Sequence, residues 1–353
     1  MKKNLFLTAL IAAALAGCTS SEVIDINEKQ SNAIGFTNVV TKPSRVQDGD
    51  LTISNFTDFW VYGYYTQAGK NTPIQIFNGL QVHKDPDTKK WTYNDTRYWM
   101  PGWTYFFYAY RCADIQIANG MGTTAFSLFD DTNHSTDDRA LSILQYVCDA
   151  NHQHDLVTAE NEHVHALEQN NPEVSLPFNH ALCKIKAVFT TDFPAEYKVY
   201  ISKAYISYFY NKADFNVGTG NWTNYSRDMV NPSTINLTLP QNCYVENKAG
   251  GANASAATGE AFLIPKLYDT KNSENVRLYF TILITRTENG EVINVLERNI
   301  YGTWSPQWEK GKIYKYNINI TGSSTGIEPI VFAAEQSLSG NDDWDNSKEV
   351  NMV

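Results

Sequence analysis

Residues 276–285, VRLYFTILIT, put Val276, Leu278, Phe280, Ile282 and Ile284 on one side of an extended chain and their neighbours on the other. That period of two is a strand's, with one face turned to a core. The same signal recurs along the chain. FWVYGYYT (59–66) and TYFFYAYRC (104–112) predict aromatic strands, and LSILQYV (141–147) a strand or a short helix. HALCKIKAVFT (180–190) turns Lys184 and Lys186 outward and Cys183, Ile185, Ala187 and Phe189 inward. Further strands are expected at 198–210, 234–240, 291–300, 312–320 and 328–338. The connections are rich in Asn, Asp, Gly and Thr, and NKAGGANASAATGE (247–260) reads as a flexible loop. Many short strands with turn signals between them predict an all-β chain of antiparallel sandwiches rather than βαβ units. With 353 residues, two domains are expected, and LEQNNPEVSLP (167–177) is the best linker between them. No internal repeat is visible.

The beginning of the chain reads as an address. Lys2 and Lys3 precede a short apolar run, Leu5 to Ala16, and then Leu15-Ala16-Gly17-Cys18. The run is shorter than the ~20 residues of a membrane span and fits a signal-peptide core. Small residues ending at a cysteine resemble a lipobox, which makes 1–17 a lipoprotein signal peptide and Cys18 the lipidated first residue of an exported, membrane-tethered chain. Acyl chains hold by ~0.8 kcal/mol per buried methylene, and two or three make a durable anchor. The net charge of −10 disfavours nucleic acid as a partner. Four cysteines follow Cys18, at 112, 148, 183 and 243, too far apart to read as a dense disulfide framework.

No catalytic constellation stands out, and no cofactor is expected. His152-x-His154 and His163-x-His165 could gather a metal on one side of a strand, but they lie in a polar, loop-like stretch and read as solvated histidines. NDDWDN (341–346) lacks the pattern of a calcium loop. No G-x-S-x-G, P-loop or H-E-x-x-H occurs. Aromatics make up 13% of the chain, so a surface glycan-binding lipoprotein using Trp60, Trp91 and Trp222 is the alternative to a structural role.

AIGFTNVVTKPSRVQDG (33–49) sets apolar Ile34, Phe36 and Val40 just ahead of an exposed-looking loop that carries Arg45. This strand and arginine, the lipobox, FWVYGYY, RYWMPGWTYFFYAY (97–110), HDLVTAE (154–160), LPFNHALCKIKAVF (176–189), AFLIPK (261–266) and WEKGKIYKYNINI (308–320) together resemble the fimbrillins, lipoprotein subunits of type V pili. The resemblance covers nearly the whole chain and rests on order and spacing. It implies two tandem transthyretin-like β-sandwich domains, here 46–172 and 173–353, after an N-terminal segment 18–45. It also implies that the first strand, with Ile34, Phe36 and Val40, is a removable placeholder. An arginine-specific protease would cut after Arg45, leaving Val46 as the new N-terminus. A neighbouring subunit's C-terminal segment, 328–353 with Ile330, Phe332 and Ala334 facing the groove, would replace the lost strand. The expected function is that of a cell-surface pilus subunit, of the shaft rather than the tip or anchor, partnered by other pilus subunits.

Overall fold

The structure, a computed structural model, describes residues 32–40, 56–67, 73–112, 122–126, 141–191, 193–241, 243–245, 256–269, 271, 274–320, 330–331, 335–336 and 347–352. Among the described residues every regular element is a strand. In chain order these are β1 (Phe36–Val40), β2 (Asp58–Thr66), β3 (Ile74–Lys84), β4 (Trp91–Thr92), β5 (Thr104–Cys112), β6 (Thr123–Phe126), β7 (Leu141–Val147) and β8 (Leu156–His165). Next come β9 (Val174–His180), β10 (Cys183–Thr191), β11 (Tyr197–Ser207), β12 (Lys212–Asn216), β13 (Asn221–Ser226), β14 (Thr234–Asn236), β15 (Tyr244–Val245), β16 (Ala256–Ala257) and β17 (Ala261–Leu263). The last are β18 (Val276–Glu288), β19 (Glu291–Trp304), β20 (Ile313–Ile320), β21 (Ile330–Val331), β22 (Glu335–Gln336) and β23 (Ser347–Met352).

The strands form sheets packed as sandwiches. A seven-stranded sheet runs β1-β9-β8-β5-β2-β3-β4 and a four-stranded sheet runs β13-β12-β7-β6. The other two run β14-β11-β18-β19-β21 and β16-β10-β20-β23-β22, with β15 beside β11 and β17 beside β10. Most pairings are antiparallel, as the sequence predicts. The exceptions, β1 on β9, β10 on β20, β19 on β21 and β20 on β23, are parallel. Each joins strands that no tight turn connects, which is the condition for a parallel pair.

Strands β2 and β5 are buried on both faces. Trp60, Tyr62, Tyr64, Phe106, Tyr108 and Tyr110 pack towards the four-stranded sheet. Phe59, Val61, Tyr105, Phe107 and Ala109 pack on the opposite side. Continuous aromatic runs, rather than alternation, are what such two-faced burial requires of a sequence. Gly63 interrupts the run where space is short. A Cβ there would meet the Phe106 carbonyl oxygen at 3.1 Å and the Phe107 and Phe77 rings at 3.2 and 3.3 Å. At Gly79 a register shift and a φ of +66° set the backbone against Tyr62, a conformation that glycine adopts without strain. The second core lies between the remaining sheets, with Leu278, Phe280 and Ile282 of β18 against Ile185, Phe189 and Tyr316.

Three sequence readings change. Lys184, expected outward, is 2% exposed and pairs with the Glu260 carboxylate at 3.1 Å. Residues 174–177, at the end of the segment read as a linker, are the start of β9, which belongs to the seven-stranded sheet. Its side chains alternate buried and exposed, but Pro177 and the preceding Asn and Glu residues masked that pattern. The stretch with His163 and His165 is not a loop either. Both lie in β8, where a register shift and a left-handed His163 turn that ring against Phe106, with centroids 4.8 Å apart. His152 instead meets the Asp149 carboxylate at 2.8 Å.

Candidate functional site

The seven-stranded sheet curls so that its two ends approach each other, and the segment 32–40 fills the gap between them. On one side β1 runs parallel to β9, from Phe36 opposite Val174 to Val40 opposite Phe178. The Val174 amide donates to the Gly35 carbonyl at 2.8 Å, just ahead of that ladder. On the other side residues 32–34 pair with 97–99. The Ile34 amide donates to the Arg97 carbonyl at 2.8 Å and the Trp99 amide to the Asn32 carbonyl at 3.0 Å. Tyr93 donates its hydroxyl to the Ile34 carbonyl at 2.6 Å. The Asn171 amide reaches the Asn32 side-chain oxygen at 2.9 Å, which ties the entry of the segment to the turn before β9.

The apolar side of the segment reaches deep into the core. Ile34 is 1% and Phe36 2% exposed. The Phe36 ring lies edge-on to Phe59, Phe77, Tyr93 and Phe107, with centroids 5.9, 5.6, 5.8 and 6.0 Å away. Four edge-to-face contacts around one ring are worth more than its area alone, by about 0.5–1.5 kcal/mol for each good pair. Burial raises the pKa of Tyr93 above the ordinary tyrosine value, and burial pushes Tyr105, in the same core, up to about 12. Both phenols therefore stay neutral at physiological pH. The site holds a strand by shape, apolar contact and main-chain hydrogen bonds.

Of the residues singled out from sequence, Ile34 and Phe36 meet in this groove. The side chain of Val40 lies outside the described residues, as do Cys18, Arg45, Val46, Phe332 and Ala334. The backbone of Ile330 lies in β21, beside Gly302 of β19. The last described residues, β23, pair parallel with β20 from Ser347 opposite Ile313 to Met352 opposite Ile318. The groove's other walls, Tyr93, Trp99, Phe77 and the 97–99 backbone, were not legible as a site. RYWMPGW offers aromatics, but only the curl of the sheet brings them to the far side of Phe36.

The tryptophans of the glycan alternative do not form an exposed face. Trp60 and Trp222 are 8% and 9% exposed, and Trp222 donates its ring N–H to the Ala181 carbonyl at 2.8 Å. Trp91 is partly buried against the Phe36 core, edge-on to Phe56 and Phe59. The four later cysteines are buried and form no disulfide with one another.

The described strands are thus those of an all-β, sandwich-like protein whose seven-stranded sheet ends in β1 on β9. The chain belongs to the fimbrillin-like family, whose model matches residues 44–333. Solved structures from Bacteroides are similar to it. A candidate cell adhesion protein of Bacteroides uniformis is 15% identical, with a TM-score of 0.42 over 83% of this chain and 93% of that one. Another from Bacteroides eggerthii is 10% identical, with a TM-score of 0.41 over 91% and 98%. A fimbrial protein of Bacteroides ovatus is 11% identical, with a TM-score of 0.30 over 82% of this chain and 50% of that one. No curated protein matches the chain.

Proposed function

We propose that this chain is a structural subunit of a cell-surface pilus, exported as a lipid-anchored precursor on Cys18 and assembled by replacement of β1. The observation that carries this reading is the way the segment 32–40 is held. It completes the core on that side of the sheet with Ile34 and Phe36, yet its pairing is with β9 and residues 97–99, and among the described residues no hairpin joins it to an adjacent strand. An unfilled groove of that kind would expose a sheet edge and an apolar trough, a template for any passing strand. A secreted subunit is kept monomeric while its own strand fills the trough.

The exchange then follows from chain connectivity. While 41–55 tethers β1 to β2, the strand rebinds at high effective concentration and no rival displaces it. A cut after Arg45 removes that advantage. An incoming strand can then substitute like for like, each ladder bond contributing ~0.5–1.5 kcal/mol net. The tail 328–353 of another copy or another pilus subunit, with Ile330, Phe332 and Ala334 towards the groove, would enter by β-addition. Head-to-tail contacts that do not close generate a filament. This makes a shaft subunit the favoured role, and it assigns the chain no catalysis.

The test uses the full chain, its Arg45→Ala variant and limited trypsin treatment, read on non-boiled gels. Cleavage leaving Val46 at the new N-terminus, followed by a ladder of polymers absent from Arg45→Ala, is the expected result. Cleaved protein that remains monomeric at high concentration with other pilus subunits present would end the exchange reading.

A further inference from the structure

The outer side of the β14-β11-β18-β19 sheet carries a patterned row of side chains that strand exchange does not use. Leu278, Phe280 and Ile282 of β18 are buried, so the residues between them face solvent. The ladder sets Tyr205 and Tyr301 on either side of Tyr279. The Tyr205 and Tyr279 rings stack with centroids 4.7 Å apart and planes 3° apart, and Tyr279 and Tyr301 follow at 5.4 Å and 34°. One pair further along, Thr281 donates to the Asn299 side-chain oxygen at 2.6 Å. Beyond it, Tyr200 stands opposite Leu283 on one side and Tyr244 on the other.

Cations lie against these rings. The Lys203 ammonium is 4.7 Å from the Tyr205 ring and Lys198 5.8 Å from Tyr244. The Arg277 guanidinium lies 4.2 Å from Tyr208 and 5.6 Å from Tyr301, and one of its nitrogens donates to the Tyr279 hydroxyl at 3.2 Å. Glu297, opposite Leu283, is the acid within the same rows. In a chain of net charge −10, these rows set Lys198, Lys203 and Arg277 against aromatic rings, with Glu297 beside them.

We propose that this face binds an anionic polysaccharide, one bearing carboxylate or sulfate groups. In these rows hydroxyls, an amide and cations surround Leu283, and the exposed Val292 and Val295 of β19 lie beyond them, whereas a protein interface would need one larger apolar centre. Neighbouring strands ~4.8 Å apart repeat the hydroxyl donors along the row, which suits a polymer lying across the strands. Duplex DNA, with a charge every ~1.7 Å, and an anionic bilayer bring a denser field against the acidic remainder of the chain than a sugar polymer with spaced acidic groups does. This inference goes beyond the assembly reading, since the face lies on the second sandwich and its ligand binding does not depend on the fate of β1.

The test titrates the full chain with polygalacturonate, dextran sulfate and neutral dextran at physiological salt, with duplex DNA and anionic vesicles as further probes. One or both acidic polysaccharides should bind and dextran should not, the two acidic arms telling carboxylate from sulfate. Lys203→Gln with Arg277→Gln should weaken binding on the order of tenfold or more, the effect of lost hydrogen bonds to charged groups. Tyr279→Ser should weaken it severalfold, and Lys89→Gln with Lys90→Gln, on the first sandwich, should leave it unchanged. An unchanged melting temperature shows that each variant is folded. The proposal is overturned by failure of both acidic polymers to bind, by equal binding of dextran, DNA or vesicles, or by equal loss in the Lys89/Lys90 pair. It is overturned too if Tyr279→Ser binds as the parent does, since charge alone would then explain the affinity.

Discussion

Phe36 is the residue on which the groove turns. Removing a buried Phe side chain costs about 3–5 kcal/mol where the surroundings cannot collapse. Here the loss has a ceiling, because a segment held too weakly peels away and the rest of the sandwich need not unfold. The amide of Val174, bonded to the Gly35 carbonyl, reports that peeling directly. In Phe36→Ala its hydrogen exchange should accelerate by ~100-fold or more while amides of β18 and β20 keep their protection. Equal acceleration throughout would mean that β1 is an integral strand of the core. The tyrosines around it give a second residue-scale prediction. Burial holds the folded pKa values of Tyr93 and Tyr105 above the ordinary tyrosine value of about 10, so in alkali the unfolded chain loses phenolic protons before the folded one does. Stability is then unaffected by these groups below pH 10 and falls as pH rises from about 10 towards 12. Absorbance of the phenolates should therefore develop in step with unfolding; a phenolate signal complete at pH 10 in protein that is still folded would contradict the burial.

At the scale of the element, Gly63 shows how closely β2 is fitted. Gly63→Ala would press a methyl group against the Phe106 backbone and two packed rings, none of which is a flexible end. Such overpacking costs about 1–3 kcal/mol, and a lowered denaturation midpoint with unchanged m-value is the expected measurement. What the sequence revealed at this scale depended on burial. β5 and β7 were legible to the residue, and β2 and β18 to within a few residues, because packed faces impose aromatic runs or strict alternation. β3 was missed because its IQIFNGLQVHK has few buried positions, Phe77 and Val82 among them, and Asn78-Gly79 reads as a turn although it forms a bulge inside the strand. β12 and β13 were missed because KADFN and NWTNYS are short and polar, and the strand that joins them to the sheet, β7 beside β12, lies far back in the chain. The groove was half legible. Ile34 and Phe36 announce an apolar face and the loop after them an exposed one, but nothing in a linear pattern tells that β9 will accept β1 in parallel or that Tyr93 will close over it.

At the scale of the molecule, the two halves of the sequence share a sheet. The four-stranded sheet of the first sandwich takes β6 and β7 from the first half and β12 and β13 from the second. Trp222 of β13 packs against Tyr146 of β7 at 5.6 Å and Phe215 of β12 at 4.7 Å, and its N–H is fixed on Ala181 between β9 and β10. Gln153 and Cys148 both reach the Phe262 carbonyl, and Gly311 donates to the carbonyl of Leu182. A chain stitched in this way should unfold in one transition, because melting the second half strips the first of half a sheet. Trp222→Ala is the discriminating variant. It removes a ring from the shared core, at a cost of about 3–5 kcal/mol, and leaves the interior of the second sandwich untouched. If the halves are coupled, calorimetry will show a single endotherm moved to lower temperature. A fragment of residues 32–191 will then fail to fold, since the faces of Leu141, Ile143 and Tyr146 lose their cover. Two endotherms, only the first displaced by Trp222→Ala, would show instead that each sandwich stands alone. In a filament pulled end to end, that difference decides whether load crosses the subunit through hydrogen-bonded strands or through one connection at Ala181 and Leu182.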